Sequence, residues 1–148
     1  RDLVRSRGLG DVYKRQILLT FSSCEKIKIG FLDTENAAYT PDSLVVKTML
    51  DPYTSDSIQI NLQKPYQSSP IQGIDGTPVI HYKINTIRDE YGKNVSEDIL
   101  SQFGIVRKAV IEIAYNHSIP IGEYFIDILV YNEDNSIILP EIFKVVVK

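Results

Sequence analysis

The side chains able to do chemistry in this chain of 148 residues are few: two histidines, His81 and His117, and one cysteine, Cys24. His81 falls on the polar side of the alternating run from Ile80 to Asn85, and His117 sits in Asn116-His117-Ser118, so both read as solvated side chains. Ser-His-Asp chemistry on an α/β-hydrolase scaffold needs a Gly-x-Ser-x-Gly elbow, and the sequence contains none. Zinc takes about four ligands from His, Cys, Asp or Glu, more than two distant histidines and one cysteine supply. Calcium is a closer case, because Glu133, Asp134 and Asn135 cluster oxygen donors, with Asp75 and Asp89-Glu90 in other turns. A hard cation needs about six or more oxygens, and no spacing matches an EF-hand loop. These residues read as turn formers. No metal and no cofactor is expected, and the chain is expected not to be an enzyme.

The best candidate for a working surface is the loop over residues 64–78, long enough to suggest either function or disorder. Tyr66, Gln67, Gln72 and Asp75 offer an aromatic face with amide and carboxylate partners, a set that can stack on a sugar ring and hydrogen-bond its hydroxyls. The competing reading is structural. Pro65, Pro70 and Pro78 would stiffen a crossover between sheets while Tyr66 and Ile71 pack on its edge.

Most of the remaining chain alternates with period two, the pattern of strands with one buried face. Leu44, Val46, Thr48 and Leu50 alternate with Ser43, Val45, Lys47 and Met49, while Ile58, Ile60 and Leu62, and Ile80, Tyr82 and Ile84, alternate with polar neighbours. Residues 105–115 read as one long β-branched strand with Ala109, Ile111 and Ile113 on one side. Residues 122–132 place Tyr124, Ile126, Ile128 and Val130 on a single face, and residues 141–148 direct Phe143, Val145 and Val147 inward. The dense turn signal Asn132-Glu133-Asp134-Asn135-Ser136 joins those two strands as a hairpin. Residues 96–103 break the pattern and read as a short helix, with Ser96 as cap, Glu97 and Asp98 in its first turn, Val95 and Leu100 as a staple, and Gly104 as the stop. Six or seven strands at intervals of about ten residues predict an all-β antiparallel sandwich of about seven strands.

The N-terminal region divides sharply. Residues 1–16 resemble a translated sequencing adapter and are set aside as non-native. Those sixteen residues carry five basic and two acidic side chains, so the remainder carries −6 against −3 for the whole chain. A domain of that acidity, with no Lys/Arg cluster, is a poor partner for nucleic acid. Residues 17–24, Ile17-Leu18-Leu19-Thr20-Phe21-Ser22-Ser23-Cys24, resemble a truncated lipoprotein signal peptide and its lipobox, which implies lipidation of Cys24. Residues 25–38 read as a tether and residues 39–148 as the domain.

Ile119-Pro120-Ile121-Gly122-Glu123-Tyr124, running into alternating apolar residues and a closing Asn132, is similar to the penultimate strand of bacterial immunoglobulin-like and PKD-like domains. That resemblance implies an immunoglobulin-like sandwich in which Tyr124 is a corner tyrosine. Together with Cys24, the chain resembles small outer-membrane lipoproteins of Gram-negative bacteria that import polysaccharides. The implied role is a lipid-anchored structural or protein-interaction module of the cell envelope, on its surface or its periplasmic face, with Tyr39, Tyr53, Tyr91 and Tyr131 as packing residues. The alternative is a surface glycan-binding module using the loop over 64–78. The implied partners are a membrane, through the anchor, and envelope proteins or polysaccharide.

Overall fold

A computed structural model describes residues 30–148. The proposed non-native segment, the lipobox with Cys24, and residues 25–29 of the tether lie outside the described residues.

The fold is an all-β sandwich. Its larger sheet has the order β2-β9-β8-β5, from Ser43–Val46 (β2), Ser136–Val147 (β9), Gly122–Tyr131 (β8) and His81–Asp89 (β5). Its smaller sheet has the order β3-β7-β6, from Tyr66–Gln67, Val110–Ile113 and Phe103–Val106. A two-stranded ladder joins β1 (Leu32–Asp33) to β4 (Asp75–Gly76). All pairings are antiparallel except β2 with β9, which is parallel.

The alternation read in β8 and β9 is what builds the core. Tyr124, Ile126, Ile128 and Val130 are buried from β8, and Phe143, Val145 and Val147 from β9. Ile111 and Ile113 of β7, Phe103 of β6 and Ile119 close the space opposite. Each such side chain contributes roughly 1.5–3 kcal/mol by leaving water. The β8–β9 hairpin closes as its turn residues require, because Asn132 Oδ1 accepts the N–H groups of Asp134 and Asn135 at 3.3 and 2.9 Å. β9 begins at Ser136, five residues before the expected strand, and a bulge carries it past Pro140 and Glu141.

Two expectations about elements are corrected. Residues 58–63 form no strand; the short helix α1 spans Asp56–Asn61. Alternation over Ile58, Ile60 and Leu62 is too brief to separate the two periods, and local bonds favour the helix: Asp51 Oδ1 accepts Tyr53 N–H, and Asp56 in the first turn pairs with Lys47 at 2.7 Å. Residues 105–115 are a hairpin rather than one strand, with β6 and β7 joined by a 3₁₀ turn over Arg107–Ala109. That turn contains no Gly, Pro, Asn or Asp. It is held from outside, by Ile71 N–H on the Lys108 carbonyl at 3.1 Å and by the Tyr39 hydroxyl on the Ala109 carbonyl.

The expected helix near 96–103 is present as α2, Glu97–Leu100. Ser96 occupies its N-cap position without a side-chain capping bond, while Val95 and Leu100 both pack against the core.

Candidate functional site

The loop over 64–78 is only partly irregular, because it contributes β3, β4 and a bridge between Gln72 and Ala38. These pairings divide the four candidate residues. Tyr66 and Gln67 lie opposite Ile113 and Glu112 of β7. Gln72 is exposed, and its backbone exchanges hydrogen bonds with Ala38 at 2.9 and 3.0 Å. Asp75 is exposed on β4, opposite Asp33. Tyr66 and Gln67 therefore share a site, and Gln72 and Asp75 belong to a different ladder.

An open groove of about 580 Å³ lies where α1 faces β3. Tyr66, Gln67, Gln59, Ile58, Lys64 and Pro65 are among the residues lining it. Tyr66 is half-buried and fixed: its hydroxyl accepts Lys47 N–H at 3.2 Å and lies 3.4 Å from the Lys47 carbonyl. Its ring meets the edge of His117, with centroids 6.2 Å apart at 70°. His117 is buried, which corrects the expectation of a solvated side chain. Nδ1 accepts Ile119 N–H at 3.2 Å, so Nε2 carries the proton and donates it to the Lys47 carbonyl at 3.2 Å. A turn residue had looked solvent-facing, yet its two ring nitrogens tie that turn to β2's end. The tyrosine hydroxyl is thus committed to the fold, and what it offers a ligand is its ring.

Gln67 Nε2 donates to Glu112 Oε2 at 2.6 Å, which orients the amide and leaves its oxygen as an acceptor. Among the described residues, Lys64 brings the single charged side chain lining this groove. Beyond Pro65 a second open groove of about 480 Å³ continues the surface, with Gln63, Gln102, Glu112, Tyr115 and Asn116 in its lining. Gln102 is bound on both sides, accepting Ser118 N–H at 2.7 Å and donating to the Asp98 carbonyl at 3.2 Å.

No family model matches the chain, and no curated protein matches it. Among solved structures it is similar to a SusE-like surface-located polysaccharide-binding protein from the Bacteroides thetaiotaomicron heparin utilisation locus, at 16% identity and a TM-score of 0.45, over 75% of this chain. The chain spans 15% of that protein's length.

Reasoning from sequence missed Gln59, Lys64 and the whole of the second groove. One signal was legible: Gln59, Gln63 and Gln67 recur at four-residue spacing through a helix, its exit and a strand. Among the described residues no group of three His, Cys, Asp or Glu side chains is placed to hold a metal. In the 132–135 turn, Asn132 Oδ1 and the Asn135 carbonyl accept the bonds that close the hairpin. His81 is exposed and stacks on Tyr131, with centroids 5.1 Å apart. Of the tyrosines read as packing residues, Tyr39 is buried, whereas Tyr53 and Tyr91 are exposed at 96% and 82%. Tyr124 donates its hydroxyl to the Pro120 carbonyl at 2.9 Å, the bond implied for a corner tyrosine.

Proposed function

We propose that this domain is a non-catalytic glycan-binding module of the cell envelope, held to a membrane by acyl chains on Cys24, and that sugar binds in the groove beside Tyr66 and Gln67. The observation that carries the reading is the lining of that groove. An aromatic ring already locked by its hydroxyl stands beside the amides of Gln59 and Gln67. Amides both donate and accept, as sugar hydroxyls do, and a pre-positioned ring loses little conformational freedom on stacking. The groove is open, which suits a polymer that continues past the site on either side.

Isothermal titration against a panel of polysaccharides tests this reading. Gln67→Ala is the cleaner variant, because Tyr66→Ala also removes an anchor of Lys47. Binding by the wild type and a loss of roughly 2- to 10-fold in Gln67→Ala are expected for one removed hydrogen-bonding group. A silent panel, or undiminished binding by Gln67→Ala, counts against it. The anchor is tested separately by mass spectrometry of the product of the full native gene beside a Cys24→Ala control, where a Cys24-dependent lipid adduct is expected.

A second reading, a protein-interaction module, is favoured by Met49, Tyr53 and Leu62, apolar side chains exposed at 87%, 96% and 70% within one stretch of chain. It expects Tyr53→Ala to release a partner protein while glycan binding stays intact.

A further inference from the structure

Resting on the glycan-binding reading, we propose that the ligand is a neutral linear chain that crosses Pro65 from the first groove into the second, and that Gln63 is a specificity-determining contact there. The two grooves adjoin at Pro65. Pro65 lines both, and the hydrogen bond from Gln67 to Glu112 links a side chain of one to a side chain of the other. Each is of a size that holds a few sugar rings, so a chain long enough to fill both makes contacts that a short one cannot.

The charge of the lining selects the chemistry. Among the described residues, Lys64 is the one charged residue lining the first groove and Glu112 the one lining the second, so these two charges balance. Sulfate or carboxylate groups along a polymer call for clustered Arg or Lys. What lines these grooves instead is mostly amides, hydroxyls and the rings of Tyr66 and Tyr115, which suit hydroxyl groups and the apolar faces of neutral sugars.

Gln63 adds an independent observation. It ends α1 with a left-handed backbone, φ 50°, as the closing residue of a motif in which Gln63 N–H reaches the Ile60 carbonyl at 3.1 Å and Lys64 N–H the Gln59 carbonyl at 3.0 Å. Glycine is the usual occupant of that position, since a Cβ is strained there. Gln63 is exposed, so no core packing compensates the strain. Its side chain lines the second groove, between Gln59 and Gln67 in sequence, both of which line the first. A strained residue at the lip of a groove is explained when its side chain has work there.

The test is titration with neutral oligosaccharides cut from xylan, mixed-linkage glucan and galactomannan, from disaccharide to octasaccharide, beside heparin oligosaccharides of matching length. Affinity for one neutral series is expected to rise about tenfold or more with length, as added hydrogen bonds form in the second groove. Gln63→Gly and Tyr115→Ala should each bring long-chain affinity down toward the short-chain value. Gln63→Gly should do so while its Tm rises by about 2–4 °C, which separates lost contact from lost folding. Length-independent binding, or long-chain affinity unaltered in Gln63→Gly, overturns this inference and leaves the one-groove reading standing. Tighter binding of the heparin series overturns the neutral class. No binding by any series overturns both readings.

Discussion

Left-handed backbone at residues other than glycine occurs at two kinds of place in this domain. Lys108, Ala109 and Glu141 adopt φ of 56°, 56° and 48° where other parts of the chain hold their backbone groups. Ile71 N–H takes the Lys108 carbonyl, Tyr39 takes the Ala109 carbonyl, and Asp127 Oδ1 accepts Glu141 N–H at 2.7 Å. Gln63 adopts φ of 50°, and among the described residues its backbone N–H is bonded within the helix it terminates. The first group is over-determined by tertiary contacts, and the strain there is part of closing the sandwich. At Gln63 the helix ends equally well with glycine, so what the strained residue adds is a side chain at the groove. Strain that the fold requires is thereby distinguished from strain that only a surface requires.

The largest expected effect comes from removing what over-determines Glu141. Asp127 is buried opposite the bulge in β9 and accepts from Thr86 Oγ1 at 2.6 Å, Arg88 Nη2 at 2.7 Å and Glu141 N–H at 2.7 Å. Asp127→Asn leaves Arg88 only its longer pair with Glu141 at 3.3 Å, and the amide has one acceptor oxygen where the carboxylate has two, so a loss of about 2–3 kcal/mol is expected in urea unfolding. Burial by itself pushes this carboxyl up, but the hydrogen bonds from Thr86, Glu141 and Arg88, with the Arg88 charge, hold it below the ordinary carboxylate value. A depressed folded value means that the contribution is complete above the unfolded pKa, about 4, and is lost as pH falls through the folded one. The wild type should therefore lose this part of its stability below about pH 4, and Asp127→Asn should show a shallower loss over the same interval. An unaltered slope would remove Asp127 from the account of the bulge.

Tyr39→Phe probes the second over-determined turn. The Tyr39 ring packs on Phe143 with centroids 4.6 Å apart, and burial pushes its phenol well up, so the group is a proton donor at every pH of interest. Phenylalanine keeps the ring contact and leaves the buried Ala109 carbonyl without its donor. A loss of about 1–2 kcal/mol is expected, with hydrogen exchange at Ile71 N–H quickened in the same variant because both bonds hold one turn. Normal stability would mean that the β6–β7 turn closes without help.

How much of this was legible in the sequence depended on the range of the interactions involved. β8, β9 and their turn carry their pattern in consecutive residues, and both the alternation and Asn132 led to the right hairpin. Arg107-Lys108-Ala109 carries no turn signal, because its partners Ile71 and Tyr39 lie about forty and seventy residues away. The same holds for His117, which reads as a polar turn residue until Lys47, seventy residues earlier, is seen to supply its acceptor. At the candidate site Tyr66 and Gln67 were identifiable as a short aromatic and amide pair. Gln72 and Asp75 were grouped with them by nearness in sequence, and strand pairing sends them to another ladder.

The smallest effect is the most discriminating. A Cβ in this left-handed region costs about 1–2 kcal/mol and glycine's greater freedom in the unfolded chain takes back about 0.5–1, so Gln63→Gly should stabilise the domain by about 0.5–1 kcal/mol. Ala109→Gly relieves the same penalty at φ 56°, but Ala109 is fully buried and its methyl group packs in the core. Losing one buried methyl costs about 0.8 kcal/mol, and the unfolded chain gains freedom, so the two effects nearly cancel and stability should hardly move or should fall slightly. Paired urea melts of the two variants should thus differ although each removes a Cβ from the left-handed region. If both stabilise equally, the tertiary grip on Ala109 is weaker than its contacts imply. If neither does, the left-handed backbone at Gln63 is not strained, and the glutamine needs no groove to account for it.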